Sequence, residues 1–173
     1  MASQLTLRPQ DLVVALKLAA HPQQDFVLIE LADALGMALS SLHAAFSRAE
    51  QARLVSRASG AMRPQRAAIL EFALHGARYA YPGQLGGLTR GMATAIGGPS
   101  LRDHFEPSAE TPVWPDPAGT ARGPSLQPLH PGVPVAARKD DLLYDMLTLV
   151  DALRIGAARE RRMAAEALGE RLA

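Results

Sequence analysis

The chain contains no cysteine, which removes disulfides, thiolate metal ligands and a cysteine nucleophile together. Aromatic side chains make up only 5% of its 173 residues, so the core has to be packed from Ala, Leu and Val. Lysine is scarce as well: Lys17 and Lys139 are the only two. Neither charge dominates. The formal balance is +1, and nothing global announces a polyanionic partner. No stretch approaches the roughly 20 consecutive apolar residues that a membrane span requires. The opening MASQLTL lacks the basic region and unbroken apolar core of a secretory signal. These absences lead us to expect a soluble, cytoplasmic protein with no membrane partner.

Proline is abundant but uneven. Ten of the thirteen prolines fall between Pro82 and Pro134, dividing the chain into residues 1–81, 82–138 and 139–173. The flanks read as helical and the middle does not. PQDLVVALKLAA begins with Pro9, whose missing N–H costs nothing in a first turn. Asp11 complements the positive helix end. His21-Pro22 ends this helix. FVLIELADAL supplies a second helix, and SSLHAAFSRAEQA a third, with Leu42, Ala45, Phe46 and Ala49 at helical spacing. Leu54-Val55 and Met62-Arg63, separated by Ser59-Gly60, read as a small hairpin. PQRAAILEFALHGARYA returns to helix.

Residues 82–138 hold too much Gly and Pro for long elements. We expect an irregular but mostly ordered segment, anchored by Trp114, Leu126, Leu129 and Val133, with a turn at DPAG, residues 116–119. The final segment carries Leu143, Met146, Val150 and Leu153 at steps of three and four, predicting one long helix over 140–172. Gly156 is a candidate break in it. A stripe this regular suits a dimerisation or partner-binding surface. The fold class expected is mainly α.

LADALGMALSSLHAAFSRAEQARLV, residues 31–55, places a glycine between two helical patterns. Such a sequence meets the steric demands of a helix-turn-helix. Ala32 is small where the helices meet, Gly36 tolerates positive φ, and Leu42 anchors the second helix. A plain helical bundle is the competing reading, and the hairpin that follows argues against it. Residues 26–63 resemble the winged helix-turn-helix domains of bacterial transcriptional regulators, among which the MarR-like group is large. Leu31-Ala32, Gly36-Met37, Leu42, Phe46 and Leu54-Val55 carry the resemblance. It implies a recognition helix over 39–52 and a β-wing over 55–63. It also implies a DNA-binding repressor acting as a homodimer, with helices 9–20 and 140–172 as dimer surfaces. Ala38 departs from the usual Ser or Thr cap, and Arg53 stands where glycine often ends the recognition helix.

The candidate DNA-contacting residues are Ser40, His43, Ala44, Ser47, Arg48, Arg53, Arg57, Arg63 and Arg66. Between Leu39 and Arg66 those five arginines face Glu50 alone, a local excess suited to phosphates; a solvated basic face is the alternative. The helix positions are poor in base-reading groups, so specificity has to draw on DNA shape and on two copies.

The five histidines show no HxxxH or HExxH spacing, so no metal is expected. The glycine-rich GQLGG and IGGPS lack the phosphate-cradling patterns, so no cofactor is expected either. No nucleophile and base stand out, so no enzyme is expected. HGARYAYP, residues 75–82, is the most distinctive local chemistry. It suggests a small-molecule site from His75, Arg78, Tyr79, Tyr81 and Trp114, or else simply a helix end. A second functional class stays open: a protein-interaction module, such as an antitoxin or adaptor that masks a partner through its C-terminal half.

Overall fold

The computed structural model describes residues 6–173; the first five residues of MASQLTL lie outside the described residues. The chain is mainly helical, with two small sheets. Helix α1, Pro9–Ala20, begins with proline in its first turn, and the Asp11 carboxylate accepts the Arg8 N–H at 2.8 Å. Nine of its twelve residues are buried. A helix covered on all sides belongs in a core rather than at a surface. It lies between α3 (Leu39–Gln51) on one side and α7 (Asp141–Ile155) on the other.

Helix α2, Leu28–Leu35, stops at Gly36, which adopts the left-handed conformation at φ 61°. The Met37 N–H reaches back to Ala32 O at 2.9 Å, satisfying a helix-end carbonyl. The chain then turns, and α3 leaves at 102° to α2. Ala38 precedes α3 without a side-chain cap, as its methyl dictates. Leu42, Ala45, Phe46 and Ala49 line the inner face of α3 and pack on α1. Arg53 ends this region in a left-handed turn, φ 62°. Strands β1 (Val55–Ala58) and β2 (Ala61–Pro64) pair antiparallel through Ser59 and Gly60, at φ 53° and 84°. Two positive φ values match the twist of a two-residue hairpin. Helix α4, Arg66–His75, breaks at Gly76 into the short α5, Ala77–Ala80.

The middle segment is more regular than its composition suggests, which corrects the expectation of an irregular stretch. Strand β3, Leu85–Ala93, pairs antiparallel with both β4, Val113–Pro115, and β5, Ala121–Leu126. DPAG does form a tight turn, with Gly119 N–H on Asp116 O at 2.9 Å. The strands on either side of it both pair with β3 instead of forming their own hairpin. The glycines make this possible. A Cβ on Gly91 would sit 1.9 Å from Trp114 O, and one on Gly123 1.9 Å from Thr111 O. They admit neighbouring backbone and are not marks of looseness.

The C-terminal segment corrects a second expectation. It is not one helix: α6 (Val133–Lys139), α7 and α8 (Ala158–Arg171) follow one another. Gly156 takes an extended conformation between α7 and α8. Its space is filled, because a Cβ there would lie 2.3 Å from Ala152 O. The regular stripe on α7 is turned inward. Leu143, Met146, Leu149, Val150 and Leu153 are all 5% exposed or less, within a single core running from Leu12 to Leu172. Of the surfaces expected to face a second copy, 9–20 and 140–172, α1 and α7 are therefore largely covered by their own chain, while α8 buries only Ala164 and Leu168. The same core crosses the boundaries at 81 and 138, so the three segments share one interior. Among the described residues no single helix is long and apolar enough to cross a membrane.

Candidate nucleic-acid interface

The 102° bend at Gly36 holds the outer side of α3 clear of the core. Ser40 and His43 are exposed there, and Ala44 and Ser47 are half-buried beside them. These residues recur at helical spacing, so they form one stripe. Gln51, exposed at the far end, extends it; the sequence reading missed this residue, although its period matches. The turn itself rests on the loop before α6, since a Cβ on Gly132 would lie 2.3 Å from Leu35 O.

The five arginines fare differently. Arg48 is turned away from the stripe. Its Nε and Nη2 donate to the two oxygens of Asp11 at 2.8 and 2.7 Å. Asp11 is fully buried. The hydrogen bonds to Asp11 raise the Arg48 pKa above its ordinary value, outweighing the burial that opposes them. This pair corrects the assignment of Arg48 to DNA. Asp11 had an adequate local role at a helix start, and nothing in the sequence signals a partner 37 residues away. Arg63 is also engaged, with the Asp25 carboxylate at 2.5 Å and Gln24 O at 3.3 Å. Arg66 donates through Nη2 to Arg171 O at 2.9 Å, tying α4 to the end of α8.

Two arginines are left facing solvent beside α3. Arg57 is exposed on β1, its guanidinium 4.7 Å from the ring centre of Phe46, and this cation–π contact holds the charge at the seam between helix and hairpin. Arg53 is exposed in the left-handed turn. It shares an open cleft of about 490 Å³ with Glu50, Val55, Ser56 and Gln65.

The proposed small-molecule set does not assemble. Trp114 is 1% exposed and donates its indole N–H to Asp151 at 2.7 Å. Tyr81 is buried edge-on against Phe72, and burial pushes its hydroxyl pKa well above the ordinary 10. His75, Arg78 and Tyr79 do lie together, in a separate cleft formed with α8. Among the described residues, no group of three or more His, Cys, Asp or Glu is placed to hold a metal. No protein-family model, curated protein or solved structure matches the chain.

Proposed function

We propose that the protein binds duplex DNA, with α3 in the major groove and the β1–β2 hairpin as a wing against the adjoining backbone, as a cytoplasmic transcriptional repressor. The observation that carries this reading is the steep crossing of α2 and α3 about a left-handed Gly36. It is followed at once by a hairpin whose Arg57 stays free. That order resembles the winged helix-turn-helix of MarR-like regulators. The contact set is narrower than the sequence suggests: Ser40, His43, Ala44, Ser47 and Gln51 on the helix, Arg53 and Arg57 on the phosphates.

So few cations on each copy give weak binding and a shallow salt dependence, since each phosphate neutralised steepens the slope by about 0.9. A second copy about 34 Å away along the duplex restores affinity. The homodimer belongs to this proposal, with its contact outside α1 and α7. Selection of bound sequences from random duplex DNA, followed by anisotropy titration of R53A/R57A, tests the reading. Affinity should fall and its salt slope should flatten. Unaltered binding by a folded double variant rules the assignment out.

A protein partner is the second reading. Leu85 and Leu88 are 52% and 62% exposed on β3, apolar side chains that an adaptor or antitoxin would use. In that case the C-terminal half retains a protein ligand whatever happens to DNA binding.

A further inference from the structure

The cleft that gathers His75, Arg78 and Tyr79 contains more than those three. Helix α8 packs on α7 and runs back past α4, and it brings Arg161 and Arg162 to the opposite wall, with Leu153 of α7 among the lining residues. Residues more than eighty positions apart in sequence thus meet around a space of about 460 Å³, within the range of small-molecule sites.

Three features give this space a chemistry. Its charge is one-sided: Arg78, Arg161 and Arg162 line it with no carboxylate among the lining residues. Elsewhere the chain matches buried arginines with aspartates, as in Arg48–Asp11 and Arg154–Asp151, and even the half-exposed Arg171 pairs with Asp145. Among the described residues, none of the three cleft arginines makes a salt bridge. Arg161 spends one N–H on Gly156 O at 2.7 Å, which fixes its position and leaves further donors. The second feature is Tyr79, a residue 77% exposed whose ring centre lies 5.6 Å from the Arg78 guanidinium. The third is an apolar floor of Leu74, Leu153 and Ala165. The nearest acid along the helices is Glu160, beside Arg161; its carboxylate accepts the Ala157 N–H at 3.0 Å at the start of α8. Neither it nor the exposed Glu71 and Glu166 lines the cleft.

Planar guanidinium groups bind phosphate through paired donors, and an exposed aromatic face beside cations stacks nucleobases of any identity. We propose that this cleft binds a nucleoside phosphate. Arg78, Arg161 and Arg162 hold the phosphate, and the base lies on Tyr79. A free nucleotide and the end of a single strand share this chemistry. The site is independent of α3 and the hairpin.

Calorimetric titration of the full chain with AMP, ADP, inorganic phosphate and a short single-stranded oligonucleotide tests the proposal. Saturable nucleotide binding is expected at Kd below about 1 mM. R78A/R162A should weaken every ligand by about tenfold or more. Tyr79→Ala should weaken the nucleotides while leaving inorganic phosphate as it was. Both variants alter half-buried or exposed side chains, and circular dichroism verifies their fold. Arg162→Glu supplies a second charge test at an exposed position. Tighter binding of the oligonucleotide than of AMP, with the same sensitivity to the variants, identifies the strand as the source. No saturable binding of any ligand, or binding indifferent to all three variants, overturns the site.

Discussion

Asp11 and Arg48 form a two-bond pair, at 2.8 and 2.7 Å, between the first turn of α1 and the last turn of α3. Asp11 has no solvent exposure and the Arg48 side chain is 11% exposed, so neither charge is well hydrated once the other is removed. Breaking such a pair from one side costs about 3–5 kcal/mol. Arg48→Ala should therefore shift the urea midpoint strongly, and Asp11→Ala should match it. Replacing both partners with apolar residues should recover much of the loss, because no charge is then stranded. If Arg48→Ala retained full stability and lost only DNA affinity, the arginine would be facing outward after all.

Gly36 and Arg53 share a backbone conformation, at φ 61° and 62°, but only one has the side chain for it. A Cβ in the left-handed region costs roughly 1–2 kcal/mol, and at Gly36 it would also meet Gly132 Cα at 3.4 Å. Gly36→Ala should lose about that much stability. Arg53→Gly should gain up to about 1 kcal/mol from relieved strain, partly offset by the greater freedom of glycine in the unfolded chain. The DNA proposal adds that this stabilised variant binds duplex more weakly. Stability and binding measured on the same preparation would then move in opposite directions, which loss of fold does not explain.

Local chemistry was readable from the sequence wherever a short segment settles its own conformation. Pro9 opens α1, Gly36 bends the chain, and Ser59-Gly60 closes the hairpin, because each requirement is met by one or two residues. Partnerships across the chain were not. The stripe on α7 has the period of a surface helix, yet it is the middle of the core. Periodicity records which face is apolar and not which neighbour covers it. Gly91 and Gly123 look the same as linker glycines until the strand that approaches them is known. Likewise ARERR, residues 158–162, has in sequence the mixed charge of a solvated helix face. Only the antiparallel path of α8 past α4 sets Arg161 and Arg162 opposite Arg78.

Asp140 gives the fold an acid limb. It caps α7 by accepting the Leu143 N–H at 3.1 Å, and it also receives Lys17 at 2.5 Å and His21 at 2.7 Å. Burial alone would raise its pKa, but the hydrogen bonds from Lys17, Leu143 and His21 outweigh it and hold the carboxyl below the ordinary 3.8. A depressed folded value stabilises the fold fully above pH 3.8, and the contribution disappears as pH falls through that lower value. Asp140→Ala should lose about 1 kcal/mol for the cap alone, more for the stranded Lys17. Its acid denaturation curve should be flatter than that of the parent below pH 3.8.

His130 acts higher on the scale. Its Nδ1 accepts the Gly132 N–H at 3.0 Å, in the loop on which the α2–α3 turn rests, and burial lowers its pKa below 6.5. The neutral ring is the one that fits. Its contribution is complete above pH 6.5 and is lost as pH drops through the folded value. Thermal melts of the parent and His130→Asn should diverge near neutrality and converge on acidification. Parallel curves would mean that His130 titrates alike in both states.

Asp151 offers the sharpest test of the middle segment, because it joins that segment to α7. Its carboxylate is 1% exposed and accepts from Thr94 Oγ1 at 2.7 Å, Trp114 Nε1 at 2.7 Å and Arg154 Nη1 at 2.6 Å. Burial raises its pKa; Arg154, Thr94 and Trp114 act in the opposite direction. Arg154 is held in turn by Tyr81 O at 2.7 Å, so the network links β4 and α7 with the residues that directly follow β3 and α5. In Asp151→Asn the acceptor oxygen is halved and the Arg154 charge loses its counterion, at a cost of about 3–5 kcal/mol. Trp114 is the only tryptophan, so its emission reports on this site directly. In Asp151→Asn the emission should shift red at a lower urea concentration than in the parent, together with the helical signal. A tryptophan transition that ran ahead of helix loss would instead mean that the three-stranded sheet can leave α7 while the helices stay folded.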